Sequence, residues 1–275
     1  MGCFLYYEIL LVTALLGTIG SSVGSDLDTE FYVSWAADHV KFLKGGEELH
    51  LTLDQVSGSG FASKNKYLFG NINMQIKLVP GDSAGTVTAF YLSSQGLNHD
   101  ELDFEFLGNK SGEPYVLQTN VYASGKGDRE QRIYLWFDPS TEFHTYGVIW
   151  NTAYILFMVD EVPIRVFMNN KALGVPYPER QAMGVFSSIW NGDSWATQGG
   201  LVKIDWSHAP FVAAYRNFQS YQAVASSMEG SEESEPLTPG QKNKLDWVKR
   251  NYMIYDYCED KQRYPVPPPE CFINL

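Results

Sequence analysis

The chain has 275 residues and a formal net charge of −12, and 44% of its residues are hydrophobic. That apolar content supports a sizeable folded core and argues against intrinsic disorder. The acidic balance argues against nucleic acid and anionic membranes as partners, because phosphates are bound by Lys and Arg. A neutral ligand is the simplest expectation.

The first 24 residues predict a secretory signal peptide. The apolar run from Ile9 to Ile19 is shorter than the ~20 residues that a transmembrane helix needs. Ser22 and Gly24 supply the small residues that precede a cleavage site, although Glu8 is atypical of such a leader. A membrane anchor is the alternative. We expect a secreted protein whose mature form has no membrane segment.

Short segments between residues 31 and 211 alternate apolar and polar side chains and are separated by turn residues. Period two, repeated every ~10–15 residues without βαβ units, predicts antiparallel strands and an all-β sandwich. The segments that we predict as strands are ELHLTLD (48–54), NINMQIKLV (71–79), TVTAFYLSS (86–94), ELDFEFLG (101–108), YVLQTNVYA (115–123), RIYLWFD (132–138), HTYGVIWN (144–151), YILFMVDEV (154–162) and LVKIDWS (201–207).

An acidic break rich in Ser and Pro (227–240) precedes one predicted helix. Thr238 and Gln241 match a capping box, and Pro239 takes the first helical position. We expect this helix to pack an apolar stripe on the sandwich. The stripe consists of Leu245, Val248, Tyr252 and Tyr255.

Cys258 and Cys271 are the cysteines that remain after the leader is removed. In a secreted chain they most simply pair with each other. The sequence has no Cys and His spacing of the kind that binds zinc. We therefore expect one disulfide in the tail, no metal and no cofactor.

The most unusual segment is HDELDFEFLGN, in which acids alternate with apolar residues. In a strand, Glu101, Asp103 and Glu105 would share one face, and the apolar residues between them would share the other. Three neighbouring acids repel one another, so the pattern indicates a function. The alternatives are a calcium site, which usually needs loop carbonyl ligands, and a solvated strand face.

Paired carboxylates suit glycoside hydrolysis. One acid protonates the leaving oxygen, and the other attacks the anomeric carbon or activates water. Glu101 and Glu105 would lie about 13 Å apart along an extended strand, so spacing alone does not choose between retention and inversion. Asp103, between two carboxylates, should resist ionisation and can share a proton with a neighbour.

The same segment resembles the active-site signature of the xyloglucan endotransglucosylase/hydrolases, a plant branch of glycoside hydrolase family 16. The similarity covers essentially the whole mature chain and includes SSIWNGDSWATQGGLVKIDWSHAPF and LDWVKRNYMIYDYC. It implies a concave, concanavalin-like β-jelly-roll sandwich. The implied division is a signal peptide at 1–24, a catalytic domain at 25–215 and a C-terminal extension at 216–275.

The resemblance implies retaining chemistry with Glu101 as nucleophile, Glu105 as acid/base and Asp103 as helper. A xyloglucan donor chain would be cleaved and passed to a xyloglucan or oligosaccharide acceptor. The enzyme would act in the cell wall or apoplast, and we expect a monomer. A predominantly hydrolytic xyloglucanase and a non-catalytic glycan-binding sandwich are the alternatives.

Sugar-binding residues also follow from the resemblance. Trp faces would stack on sugar rings, Asp128, Arg129 and Glu130 match an acceptor-side loop, and Arg263 would lengthen the groove. They are Tyr91, Gln118, Thr119, Asn120, Asp128, Arg129, Glu130, Arg132, Trp190, Ser194, Trp195, Gly199 and Arg263. Asn109 begins a sequon and is predicted to carry a glycan. The chain departs from the family in its single tail cysteine pair and in His99, which flanks the groove or bonds an acid.

Overall fold

The computed structural model describes residues 26–221 and 237–273. The predicted signal peptide and the acidic break as far as residue 236 lie outside the described residues. No helix in the described ranges is long and apolar enough to cross a membrane.

Strands dominate the described chain. They are β1 Phe31–Trp35, β2 Val40–Leu43, β3 Glu48–Leu53, β4 Ser59–Tyr67, β5 Gly70–Lys77, β6 Thr86–Ser93, β7 Glu101–Leu107, β8 Val116–Tyr122, β9 Gln131–Tyr134, β10 His144–Trp150, β11 Tyr154–Val159, β12 Val162–Met168, β13 Met183–Asn191, β14 Phe211–Tyr221 and β15 Met253–Asp256. The helices are α1 Leu27–Glu30 and α2 Pro239–Tyr252. Short 3-10 turns occupy Ala37–His39, Lys44–Gly46, Lys171–Leu173, Thr197–Gly200, Trp206–His208, Tyr257–Glu259 and Pro269–Phe272.

The strands form two antiparallel sheets that pack face to face, which confirms the predicted all-β sandwich. The eight-stranded sheet has the order β1-β4-β13-β6-β7-β8-β9-β15, and the seven-stranded sheet has the order β12-β11-β10-β5-β14-β3-β2. Aromatic side chains fill the space between the sheets. The Phe104 ring of β7 lies 5.3 Å from Phe157 and 6.3 Å from Tyr146, both in the opposite sheet.

One of the predicted strands is wrong. LVKIDWS (201–207) forms turns, because its N–H groups find partners close by rather than on a neighbouring strand. The N–H of Ile204 donates to Oδ1 of Asp193 at 2.7 Å, and the N–H of Val202 donates to the carbonyl of Thr197 at 3.3 Å. The alternating pattern there comes from a loop that buries Ile204 alone.

Two other predicted strands need new bounds. RIYLWFD ends as a strand at Tyr134, so β9 is shorter than expected. YILFMVDEV contains a turn at Asp160 and Glu161, which both have positive φ, at 46° and 63°. Two such residues in succession suit the tight turn of a β-hairpin. The segment therefore supplies all of β11 and the first residue of β12.

The predicted helix is confirmed, and its capping box is complete. Oγ1 of Thr238 accepts the N–H of Gln241 at 3.3 Å, and the N–H of Thr238 donates to Oε1 of Gln241 at 2.9 Å. Leu245 and Val248 are buried, as the stripe predicts. The stripe is wrong at Tyr255, which lies in β15 beyond the end of the helix.

The tail joins the sandwich at both sheets. Helix α2 packs against β12 at one edge of the seven-stranded sheet, and β15 pairs with β9 at an edge of the eight-stranded sheet. Cys258 and Cys271 form the predicted disulfide. The boundary that we predict at residue 215 falls inside β14, which continues to Tyr221. The division into a catalytic domain and an extension stays a prediction.

Candidate active site

The acidic strand occupies the middle of the eight-stranded sheet. Leu102, Phe104 and Phe106 of β7 are fully buried between the sheets. Their alternation with the acids forces Glu101, Asp103 and Glu105 onto the opposite, open face. Burial of the apolar face of β7 therefore fixes the position of its acidic face.

Each acid has a defined pair of neighbours across the sheet. Glu101 lies between Ser93 of β6 and Tyr122 of β8. Asp103 lies between Tyr91 and Asn120. Glu105 lies between Ala89 and Gln118. Directly opposite residues share a face, so these groups meet in one place although the chain separates them.

They meet in an open cleft of about 470 Å³. It runs across β13, β6, β7, β8 and β9, at right angles to the strands, as a site for an extended polymer would. Its lining residues are Ala89, Tyr91, Glu101, Asp103, Glu105, Gln118, Asn120, Tyr122, Glu130, Arg132, Ser188, Trp190 and Trp195. The sequence reasoning missed Ala89, Tyr122 and Ser188, and the alternation of β8 could have indicated Tyr122.

The cleft raises the pKa of two of its carboxyls. Burial is the first cause of the strongly raised pKa of Asp103, followed by the charges of Glu101 and Glu105 and by a hydrogen bond with Glu101. Burial also raises the pKa of Glu105, against a hydrogen bond from Gln118 that lowers it. The repulsion that the sequence suggested is present, but desolvation is the larger effect.

Glu105 is held by a chain of polar side chains. Nε2 of Gln118 donates to Oε2 of Glu105 at 2.5 Å, and Nε of Arg132 donates to Oε1 of Gln118 at 2.6 Å. The Arg132 guanidinium lies 5.2 Å from the ring centroid of Tyr255 in the tail. The predicted residues Gln118 and Arg132 therefore fix the carboxyl group besides lining the cleft.

The tail closes one end of this face through Arg263. Its guanidinium donates to Oε2 of Glu130 at 2.7 Å and to Oδ1 of Asp128 at 2.5 Å. Glu130 lines the cleft, and Asp128 and Arg263 lie just outside its lining. Hydrogen bonds raise the pKa of the guanidinium. Oδ1 of Asn120 anchors the same loop by accepting the N–H of Arg129 at 3.0 Å.

Two predicted sugar-binding residues point away from the cleft. Thr119 alternates with Gln118 and Asn120, so its side chain faces the interior and accepts from the buried Arg165 at 3.1 Å. The Arg129 side chain is 6% exposed and donates to Glu270 of the tail at 2.6 Å. Neither side chain can contact a sugar in this arrangement, and both predictions are corrected.

The remaining predicted residues lie at or near the cleft. The rings of Trp190 and Trp195 are 6.0 Å apart and line the cleft while packing against buried Val87 and Leu107. Core packing and sugar contact are therefore compatible for both. Ser194 and Gly199 are exposed in the following loop and do not belong to the lining.

His99 and Asn109 flank the acidic strand at its two ends. The His99 ring stacks on Tyr122 at 5.0 Å and donates through Nδ1 to the carbonyl of Gly96 at 2.8 Å, while its Nε2 lies 3.8 Å from Glu101. It flanks the cleft and lies close enough to Glu101 for an ion pair, but too far for a hydrogen bond. Asn109 is in a partly exposed loop, where Nδ2 donates to the carbonyl of Pro114 at 3.0 Å. Its glycosylation stays a prediction.

The described ranges contain no cluster of three His, Cys, Asp or Glu side chains that could hold a metal ion. The functional groups of the cleft are carboxyls, amides, hydroxyls, one guanidinium and aromatic rings. Such a set can transfer protons, form an ester with a sugar carbon and stack on sugar rings.

Removal of the Asp103 charge should stabilise the fold. Because the pKa of Asp103 is raised, folded protein holds this proton after the unfolded chain has lost it, and stability falls as pH rises from about 4 through the folded pKa. Asp103→Asn removes that fall. We expect its gain in unfolding free energy, from urea titrations, to be larger at pH 7 than at pH 4, with most activity lost. An equal effect at both pH values would contradict the buried-acid account.

Removal of Arg129 should damage stability rather than substrate binding. Arg129→Met leaves Glu270 charged and 7% exposed, and breaking a buried ion pair in this way costs about 3–5 kcal/mol. We expect a lower Tm by calorimetry and an almost unchanged KM for acceptor. Arg263→Met is the control, and it should raise the acceptor KM with a smaller change in Tm. A raised KM in Arg129→Met would instead show that the Arg129 side chain takes part in substrate binding.

Comparison with known proteins identifies the family of the chain. Residues 27–208 match the family of glycosyl hydrolases family 16, and residues 225–271 match the xyloglucan endo-transglycosylase C-terminus. Among solved structures, a Bacillus licheniformis beta-glucanase is similar with a TM-score of 0.55 and 25% identity, covering 71% of this chain and 87% of that one. The Crh5 transglycosylase shares the fold, with a TM-score of 0.58 and 23% identity, over 71% of this chain and 79% of its own.

Fold, cleft and family match together place the chain among the glycosyl hydrolases of family 16. Within that class it belongs to the xyloglucan endotransglucosylase/hydrolases. It is 54% identical to Xyloglucan endotransglucosylase protein 34 of Populus tremula x Populus tremuloides, over 95% of this chain and 94% of that protein. It is 52% identical to Probable xyloglucan endotransglucosylase/hydrolase protein 5 of Arabidopsis thaliana, over 96% of this chain and 94% of that protein.

Proposed function

We propose that this protein cleaves the β-1,4-glucan backbone of xyloglucan with retention and passes the cleaved chain to another xyloglucan chain or oligosaccharide. The observation that carries the proposal is the alignment of Glu101, Asp103 and Glu105 along the floor of an open cleft. The family to which the chain belongs, and the names of its relatives, support xyloglucan as the substrate.

The groups of the cleft support definite roles. Glu101 attacks the anomeric carbon of the donor, and Glu105 gives its proton to the departing glycosidic oxygen, which leaves a glycosyl ester on Glu101. In the second half, Glu105 removes a proton from the acceptor hydroxyl, which attacks the same carbon and releases Glu101. The raised pKa of Glu105 suits an acid that must start protonated.

Asp103 positions the nucleophile. Its hydrogen bond with Glu101 is strongest when Asp103 carries the proton, which its raised pKa favours. The proton sharing moderates the charge of Glu101 while keeping its carboxylate fixed. We place the protein outside the cell, in the wall, where its substrate is found, and the predicted leader at residues 1–24 supports that location.

Transfer and hydrolysis on the same polymer are the two forms of this function. Only 19 residues separate the end of β13 at Asn191 from the start of β14 at Phe211. This compact connection favours transfer, since predominantly hydrolytic members tend to carry an extended loop near the groove.

One assay separates the candidate functions. The protein is incubated with xyloglucan and labelled xyloglucan oligosaccharides, and polymer label and reducing ends are measured together. Label in long polymer is the expected result. A rise in reducing ends without label would indicate a hydrolase, and retention on the polymer without either product would indicate a glycan-binding sandwich.

A further inference from the structure

The cross-strand row that contains Glu105 continues far beyond the cleft. Glu105 pairs with Ala89, Ala89 with Ser188, Ser188 with Gly60, and Gly60 with Trp35 of the edge strand β1. Directly opposite residues in antiparallel strands share a face. The register of β1 shifts between Val33 and Trp35, so that the odd-spaced residues Tyr32 and Trp35 can share a face. The Trp35 ring lies where a Cβ of Gly60 would point, so Trp35 is on the catalytic face, four strand spacings or about 19 Å from the acid/base position.

The Trp35 ring lies over a floor of glycines. A Cβ added to Gly60 would come 2.4 Å from Nε1 of Trp35, and one added to Gly58 would come 3.0 Å from a carbon of the same ring. The absence of side chains at both positions lets the indole rest against the backbone. The residue nevertheless keeps 42% of its surface exposed, so a large apolar face is available above the sheet.

The neighbouring row ends in a second aromatic residue. From Asp103 it passes through Tyr91, Phe186 and Ala62 to Tyr32 of β1, which is 51% exposed. The rings of Tyr91 and Phe186 are stacked, with centroids 5.3 Å apart. Sheet edges are usually protected by charges or Pro. Two exposed aromatics on the catalytic face of an edge strand are therefore better explained by a ligand.

The chemistry of the row selects a neutral polysaccharide as that ligand. Between the acid and the edge, the row presents a methyl group, a hydroxyl and a glycine, with no charged side chain. Trp and Tyr combine an apolar face with a polar edge, which suits a sugar ring. The surface is also continuous with the cleft, so one extended chain would cover both.

We propose that Trp35, with Tyr32 beside it, forms a distal binding platform for the glycan donor chain. The platform lies at the opposite edge of the sheet from β15 and the Arg263 end of the cleft. The identity of the occupant as donor rests on the proposed function. The platform extends the substrate contact from the cleft to the full width of the eight-stranded sheet.

Such a contact is made equally before and during bond cleavage. It should therefore lower the KM for donors that reach it and leave kcat almost unchanged. Loss of one aromatic contact should raise KM by roughly threefold to tenfold. Donors too short to span the distance from Glu105 to Trp35 should show no change.

The test uses Trp35→Ala, the conservative Trp35→Phe, and Gly60→Ala, whose new methyl group should push the indole aside. Tyr221→Ala is the control, because Tyr221 is 55% exposed at the end of β14 in the other sheet. Kinetics are measured with one labelled acceptor and with donor oligosaccharides of increasing backbone length, together with polymeric xyloglucan. Retardation in native gels that contain xyloglucan is measured in parallel.

The expected result is a rise in donor KM that begins above a threshold length in Trp35→Ala and Gly60→Ala, is partly restored in Trp35→Phe and is absent in Tyr221→Ala. An unchanged KM at every length, or an equal loss at all lengths, would overturn the platform. If wild-type protein gives neither transfer nor hydrolysis, the proposed function fails. Gel retardation then tests the platform independently. Weaker retardation of Trp35→Ala than of wild type would support the platform, and equal retardation would contradict it.

Discussion

Replacement of Glu101 by alanine is expected to remove transfer and hydrolysis together, by at least ~10⁴-fold in kcat. The variant has no carboxylate that can attack the anomeric carbon, so the glycosyl ester cannot form. The fold should survive, because Glu101 is 21% exposed and the buried anchors of β7 are untouched. Circular dichroism and Tm should match the wild type.

The space left by Glu101→Ala gives a sharper readout than loss of activity. Azide can enter it and attack the donor from the same side, and the product should then be a glycosyl azide of inverted configuration, which NMR identifies. Glu113→Ala, an exposed carboxylate in the loop after β7, is the control and should behave as wild type. Wild-type turnover in Glu101→Ala would contradict the assignment of Glu101 as the nucleophile.

The features that the sequence predicted best depend on local pattern. Alternation in β7 placed three acids on one face and three apolar residues on the other, because a strand's side-chain period is two. The helix α2 was predicted from Thr238, Pro239 and Gln241, which act within one turn. In each case the determining contacts lie a few residues apart in the chain.

Features that depend on distant partners could not be predicted in this way. Arg129 directly precedes Glu130, which lines the cleft, yet the side chain of Arg129 pairs with Glu270, 141 residues away. The pairing that connects Glu105 to Trp35 requires the strand order β7-β6-β13-β4-β1, which no local signal encodes. The segment LVKIDWS alternates like a strand, but Asp193 and Thr197 satisfy its backbone instead.

The sequence also showed only part of the cause of the raised carboxyl pKa values. Neighbouring charges in HDELDFEF suggested that repulsion makes Asp103 resist ionisation. In the structure, desolvation is the first cause for Glu105 and for Asp103. Burial depends on what surrounds a side chain in three dimensions. A sequence can therefore indicate the charge pattern but not the desolvation of a carboxyl group.

Replacement of Glu105 by glutamine is expected to reduce transfer from xyloglucan by about 10²–10⁴-fold. Glutamine keeps an oxygen that can accept from Gln118, as Oε2 of Glu105 does now, but it has no transferable proton. Donors with a leaving group of low pKa should lose much less in the first step, because such groups depart without protonation. Glu113→Gln is the matched control, and single-turnover release of the leaving group is the measurement.

The pH dependence of the same variant separates proton transfer from positioning. A raised pKa keeps Glu105 protonated to higher pH, so wild-type cleavage should persist below that pKa and decline as pH rises through it. Glu105→Gln cannot ionise at this position, so its residual activity should lack the decline. If Glu105 only positioned the donor, Glu105→Gln would reduce the cleavage of donors with good and with poor leaving groups equally. The decline of activity with rising pH would then also remain. That outcome would assign the proton to another group of the cleft.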